Sequence, residues 1–164
     1  MTGLPRVLVI GVGNDYRGDD AAGLAVARRL RESPLARVDV IEATGDGGRL
    51  IDAWSGYDAV VFVDAMRSSC AAGTVRRVDV TSEPAPACFS HRSTHAIGVI
   101  DAIEVARAMH RMPGLVILYG IEGANYDAGI ALSPQVRSAL PAAVEAVGRE
   151  AQRLVGTMEA NARA

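Results

Sequence analysis

Three short apolar runs limit what this chain can fold into. Arg6 to Val12, Asp58 to Val63 and Leu115 to Tyr119 are nearly free of polar residues in their interiors, so each reads as a strand buried on both faces. Between them the periodicity is helical. Leu24, Ala27 and Leu30 recur at helical spacing from about Asp19, and Gly48 to Trp54 predicts a short helix. Val99, Ile100, Ile103 and Ala106 make an apolar stripe on a helix expected from about His95 to Met109. Ser133-Pro134 is a helix start, a capping Ser followed by Pro at the first helical position. Val136, Leu140, Val144, Val147, Ala151 and Leu154 then mark one face of that helix; Pro141 is expected to kink or restart it, and the tail after Val155 to fray.

Arg37 to Ile41 fits a second strand, and Gly73 to Val80 a more exposed one suited to a sheet edge. Thr81 to Arg92 reads as a loop, and Gly120 to Gly123 as the turn leaving the last strand. Buried strands alternating with helices predict an α/β fold with three α/β/α layers. The expected sheet is twisted, mostly parallel and of about five strands, in one domain over residues 1–164.

Composition narrows the chemistry. All 17 basic residues are Arg, which excludes Schiff-base chemistry, a catalytic Lys and the Lys of a phosphate-binding P-loop. Net charge is −2 and aromatic residues make up 4%, so neither a basic stripe nor stacking platforms for nucleic acid are expected. No apolar stretch is long enough to span a bilayer and the N-terminus does not resemble a signal peptide, which predicts a cytoplasmic protein. Cys70 and Cys88 lie far apart without C-x-x-C spacing and are expected to be reduced and structural.

Parallel sheets bind ligands at the carboxyl ends of their strands. Three polar groups are expected at that rim. The loop after the first strand runs Gly11-Val-Gly-Asn-Asp-Tyr-Arg-Gly-Asp-Asp20, the third strand ends in Asp64, and Ser93-Thr94-His95 precedes a helix. Two carboxylates and an imidazole make a three-ligand metal site with an open position, suited to nickel, zinc, manganese or iron. Asp19 or Asp20 could instead serve as a helix cap or first-turn acid, and Asp64 could cap a turn. His95 at a helix start is disfavoured as a cation and so is a better ligand candidate than His110 near a helix end or His91 in the loop. Glu42 is a further candidate for the same rim.

Other readings fare worse. Gly11-x-Gly13 opens a dinucleotide fingerprint, but Tyr16 stands at its third glycine, and Asp19 and Asp20 would repel a pyrophosphate. The D-T-G, D-S-G, G-x-S-x-G and H-E-x-x-H signatures are absent.

The segments GVGNDYRGDDAAG at 11–23, VDAM at 63–66, STHAIG at 93–98, YGIEG at 119–123 and LSP at 132–134 resemble those of the nickel–iron hydrogenase maturation endopeptidases. The resemblance spans about residues 6–155 and implies a twisted sheet flanked by helices. It also implies an endopeptidase, grouped with aspartic-type peptidases, that removes the C-terminal extension of the hydrogenase large-subunit precursor after nickel insertion. Carried over by motif, the nickel-interacting residues would be Asp20, Asp64 and His95, with Asp20 and Asp64 as candidates for water activation. Nickel would arrive with the precursor, and the enzyme would act as a monomer. Relatives often carry Glu at the position of Asp20, and the segment Glu42 to Gly47 departs from their Asp-Gly-Gly-Thr. A metal-checking chaperone that binds the precursor without cutting it is the alternative.

Overall fold

The computed structural model describes residues 3–44, 46–89 and 98–164. Five strands form one sheet: β1 (Val7–Val12), β2 (Val38–Ala43), β3 (Ala59–Met66), β4 (Val75–Asp79) and β5 (Leu115–Glu122), in the order β2-β1-β3-β5-β4. β1 pairs in parallel with β2 and β3, and β3 in parallel with β5; only the edge strand β4 runs antiparallel. This is the expected mostly parallel five-stranded sheet.

Side chains alternate across it and build two cores. Val7 and Val9 of β1, Val61 and Val63 of β3 and Ile117 of β5 face α1 (Ala22–Glu32) and α4 (Pro134–Arg163). Leu8 and Ile10, Val60 and Phe62, and Val116 and Leu118 face α2 (Gly47–Ala53) and α3 (Val99–Ala108). The chain therefore has helices on both faces of its sheet. Each helix buries one apolar stripe, such as Val136, Leu140, Val147, Ala151 and Leu154 along α4.

Several boundaries differ from the sequence reading. β3 does not end at Asp64 but runs on to Met66, because Ala65 and Met66 keep parallel pairing with Ile121 and Glu122. For the same reason Gly120 to Glu122 belong to β5 rather than to a turn. α4 continues without interruption through Pro141 and past Val155 to Arg163. One proline removes only the bond to the carbonyl four residues earlier, and the stripe from Val136 to Val155 holds both flanking turns on the sheet. α3 starts at Val99, with Gly98 in extended conformation as its N-cap, not at about His95. The stretch from Thr81 carries one short 3-10 turn, Ala87–Phe89.

The order of strands places β2 on one side of β1 and β3 on the other. Crossovers leaving β1 and β3 diverge there, and a crevice opens at their carboxyl ends.

Candidate active site

A cleft of about 1120 Å³ occupies that crevice. Val12 borders it from the end of β1, Gly13 and Asp20 from the loop that follows, Asp64 from β3, and Val99 and Asp101 from the start of α3. The glycines at the end of β1 and in the loop after it serve packing. A Cβ on Gly13 would lie 1.9 Å from the Asp20 carbonyl oxygen, and one on Gly11 would lie 2.3 Å from that of Gly23. The absence of side chains there lets the loop fold back tightly and seats the first turn of α1 against the sheet.

The two neighbouring acids of this loop part ways. Asp19 is fully buried in the 3-10 turn Gly18–Ala21 that leads into α1. Its Oδ2 accepts from the backbone N–H groups of Ala124 at 2.7 Å and Asn125 at 3.0 Å, and its Oδ1 from that of Ser133 at 2.7 Å. Burial works against its charge, but the N–H donors of Ser133, Ala124 and Asn125 win and hold the carboxyl below its ordinary range. Asp19 therefore ties the loop after β5 and the start of α4 to the loop after β1. Asp20, one residue on, is half-buried and lines the cleft.

Asp64 lines the cleft from the face of β3 that looks toward α2 and α3. Burial pushes its carboxyl well above the ordinary carboxylate range, and the negative charge of Asp20 adds to the push. The Ala65 N–H, 2.8 Å from Oδ1, offsets part of it. Asp20 and Asp64 come from separate segments of the chain, yet the charge of Asp20 reaches Asp64.

His95 and His91 lie outside the described residues. His110 is exposed in the turn that follows α3. Among the described residues no three His, Cys, Asp or Glu side chains are grouped so as to hold a metal ion.

Glu42 borders the cleft but is engaged in ion pairs. It accepts from Arg28 at 2.7 Å and from Arg31, while Arg28 also grips Asp15 at 2.7 and 2.8 Å. Asp46 caps α2 by accepting from the N–H groups of Gly48 at 3.2 Å and Arg49 at 3.5 Å. Both acids thus have structural duties at the rim. Cys70 and Cys88 are free thiols.

One cleft residue escapes a reading of the sequence. Arg67 follows β3 directly and lays its guanidinium over the Tyr126 ring, 4.3 Å from the centroid. Tyr126 sits 59 positions further on, and only the VDAM and YGIEG segments nearby mark the region.

Comparison with known proteins agrees with this architecture. A family profile described as hydrogenase maturation protease matches residues 24–150. The hydrogenase 2 maturation protease of Escherichia coli K12 is 27% identical over 146 residues, covering 87% of this chain and 88% of that protein. The structure of the hydrogenase maturating endopeptidase HybD from E. coli superimposes with a TM-score of 0.75 at 26% identity, over 87% of this chain and 89% of that one. The NiFe hydrogenase maturation protease HybD from Thermococcus kodakarensis gives a TM-score of 0.73 at 30% identity, over 89% and 99% of the two chains.

Proposed function

Since the chain belongs to the hydrogenase maturation protease family, we propose that it removes a C-terminal extension from the nickel-loaded precursor of a hydrogenase large subunit. The observation that carries this reading is the pair Asp20 and Asp64, brought to one cleft at the carboxyl ends of β1 and β3. The likeness to the E. coli and Thermococcus enzymes supports the peptidase part. No helix among the described residues is long and apolar enough to cross a membrane.

Nickel is part of the substrate in this reading. The precursor brings it, and Asp20, Asp64 and His95 receive it, two oxygen donors and one imidazole nitrogen. The hard carboxylates suit a divalent ion, and the mutual repulsion of Asp20 and Asp64 is relieved when a cation lies between them. Anchored there, the precursor lays its tail along the cleft with the scissile carbonyl beside a carboxylate. One carboxylate of the pair Asp20 and Asp64 takes the proton from the attacking water as general base. Hydrolysis by a water activated on carboxylates accords with the aspartic-type grouping.

The test is incubation of the purified protein with nickel-loaded and with metal-free precursor, followed by mass spectrometry of the large subunit. Loss of a C-terminal peptide from the loaded form alone is expected. Equal cutting of both forms would remove nickel from the reading, and binding of the loaded form without cutting would identify a metal-checking chaperone instead. His95→Ala is expected to abolish processing, with the exposed His110→Ala as the control that processes normally.

A further inference from the structure

Among the described residues the cleft carries a cation that stacks on a ring and meets no carboxylate. Arg28 is shared between Asp15 and Glu42, and Arg49 lies 3.6 Å from Asp46. Arg67 differs: among the described residues its guanidinium meets no carboxylate and donates no side-chain hydrogen bond, and its one partner is the face of Tyr126. Arg17 also lines the cleft without an ion pair among those residues, but no ring or carboxylate holds it in place.

Everything around Arg67 is pinned. Its own backbone N–H donates to the Cys88 carbonyl at 3.2 Å. The next residue, Ser68, donates its N–H and its hydroxyl to the buried Glu122 carboxylate, at 2.8 and 2.7 Å. The Tyr126 hydroxyl donates to the Met66 carbonyl at 2.6 Å, so the ring beneath the guanidinium is fixed as well. The stack thus seats an otherwise flexible side chain on a fixed part of the cleft wall. Stacking leaves the edge of the guanidinium, with its fork of N–H donors, open to a planar anion. Such pre-organisation strengthens ligand binding because little freedom remains to be lost.

We infer that Arg67 is a substrate-binding and specificity residue that receives a carboxylate on the precursor's C-terminal tail. The inference rests on the peptidase reading of the same cleft. Arg67 stands three residues after Asp64 in a chain segment that is extended as far as Met66, about 10 Å along the strand direction. That span corresponds to about three residues of extended peptide, so the carboxylate belongs a few positions from the scissile bond. It comes either from an acidic side chain of the tail or from the tail's free C-terminus. In both cases the guanidinium fork fits the two carboxylate oxygens, as an ammonium would not.

The experiment measures cleavage kinetics and, separately, affinity for the uncut precursor, using wild type, Arg67→Lys and Arg67→Ala. Two altered precursors are included: one with the acidic tail residues changed to their amides, one with three glycines appended to displace the C-terminal carboxylate. Arg67→Ala is expected to raise KM and the dissociation constant about tenfold, with kcat little changed and melting temperature unmoved; Arg67→Lys should recover only part. One of the two altered precursors should weaken wild type by the same factor and have no further effect on Arg67→Ala, which identifies the source of the carboxylate. Unchanged KM and affinity in Arg67→Ala would overturn the inference, as would penalties that simply add to those of both altered precursors. If wild type binds the precursor but does not cut it, the peptidase reading fails, while the affinity cycle still decides the role of Arg67.

Discussion

Asp64 of β3 stands opposite Gly120 of β5 in the parallel register, and the space a side chain at 120 would take is filled by the Phe89 ring. A Cβ at Gly120 would lie 2.2 Å from Phe89 Cε1 and 2.7 Å from Met66 Sδ. The floor of the cleft beside Asp64 is therefore shaped by an aromatic ring lying over bare backbone. Gly120→Ala is expected to destabilise the fold by about 1–3 kcal/mol through overpacking, as measured by urea denaturation. Phe89→Leu in the same chain should recover part of that loss. Independent, additive penalties would show that the two positions do not compete for the same space.

Asp19 and Asp20 should separate cleanly in mutants. Asp19→Asn loses a charge that accepts three backbone N–H bonds in a fully buried site, and its amide group turns a donor toward at least one of them. A loss of about 3 kcal/mol is expected. Asp20→Asn should melt no lower than wild type and yet fail to process precursor. Thermal melts beside cleavage assays on both variants decide the matter; a stable Asp19→Asn would contradict its role as a tie.

Much of this architecture was legible in the chain, and what was not has identifiable causes. The buried runs and helical stripes located β1, β3, β5 and the two long helices, because a core that excludes water imposes its period on the residues. The end of β3 is not legible because a polar residue reads as a strand terminus, whereas Asp64 is a polar residue facing a cleft within the strand. Glycine at 120 suggested a turn for the same reason; here it makes room for a ring. The motif around Asp19 and Asp20 was visible, but not which acid does what, since the partners of Asp19 lie more than 100 positions away. Arg67 carries no sequence signal because stacking on Tyr126 is a tertiary contact without local periodicity.

Asp64→Asn should stabilise the protein while ending its activity. A carboxyl raised above its ordinary range costs stability once the pH exceeds that range, because the unfolded chain ionises freely and the folded one resists. Wild type should thus lose stability as pH climbs from near 4 through the raised value of Asp64, and Asp64→Asn should lack this loss. The amide oxygen still accepts from the Ala65 N–H. A higher melting temperature than wild type at neutral pH is expected. A lower melting temperature would show that the ionised Asp64 is satisfied in the fold.

Acid should act through a different residue. Glu150 on α4 is buried, yet its pKa is lowered from 4.5 to about 2. Burial opposes the charge but is outweighed by hydrogen bonds from Arg77 at 2.7 Å, from Arg153 and from the Tyr119 hydroxyl at 3.1 Å. A lowered carboxylate contributes stability that is fully present above its unfolded value and lost as pH falls through the folded one. The window is therefore pH 4.5 down to about 2, and the contribution is about 3 kcal/mol. Glu150→Gln should be less stable than wild type at pH 6 and should converge with it near pH 2 in urea titrations. Curves that stay parallel would sink this assignment.

The tie made by Asp19 also governs how the protein opens. The amide protons of Ala124, Asn125 and Ser133 are all held by one carboxylate, so none of the three is released until that carboxylate leaves its burial site. Hydrogen exchange at these positions should follow a common opening free energy, despite their separation along the chain. The loop after β5 then opens as one cooperative unit with the start of α4, the two being held together through the loop after β1.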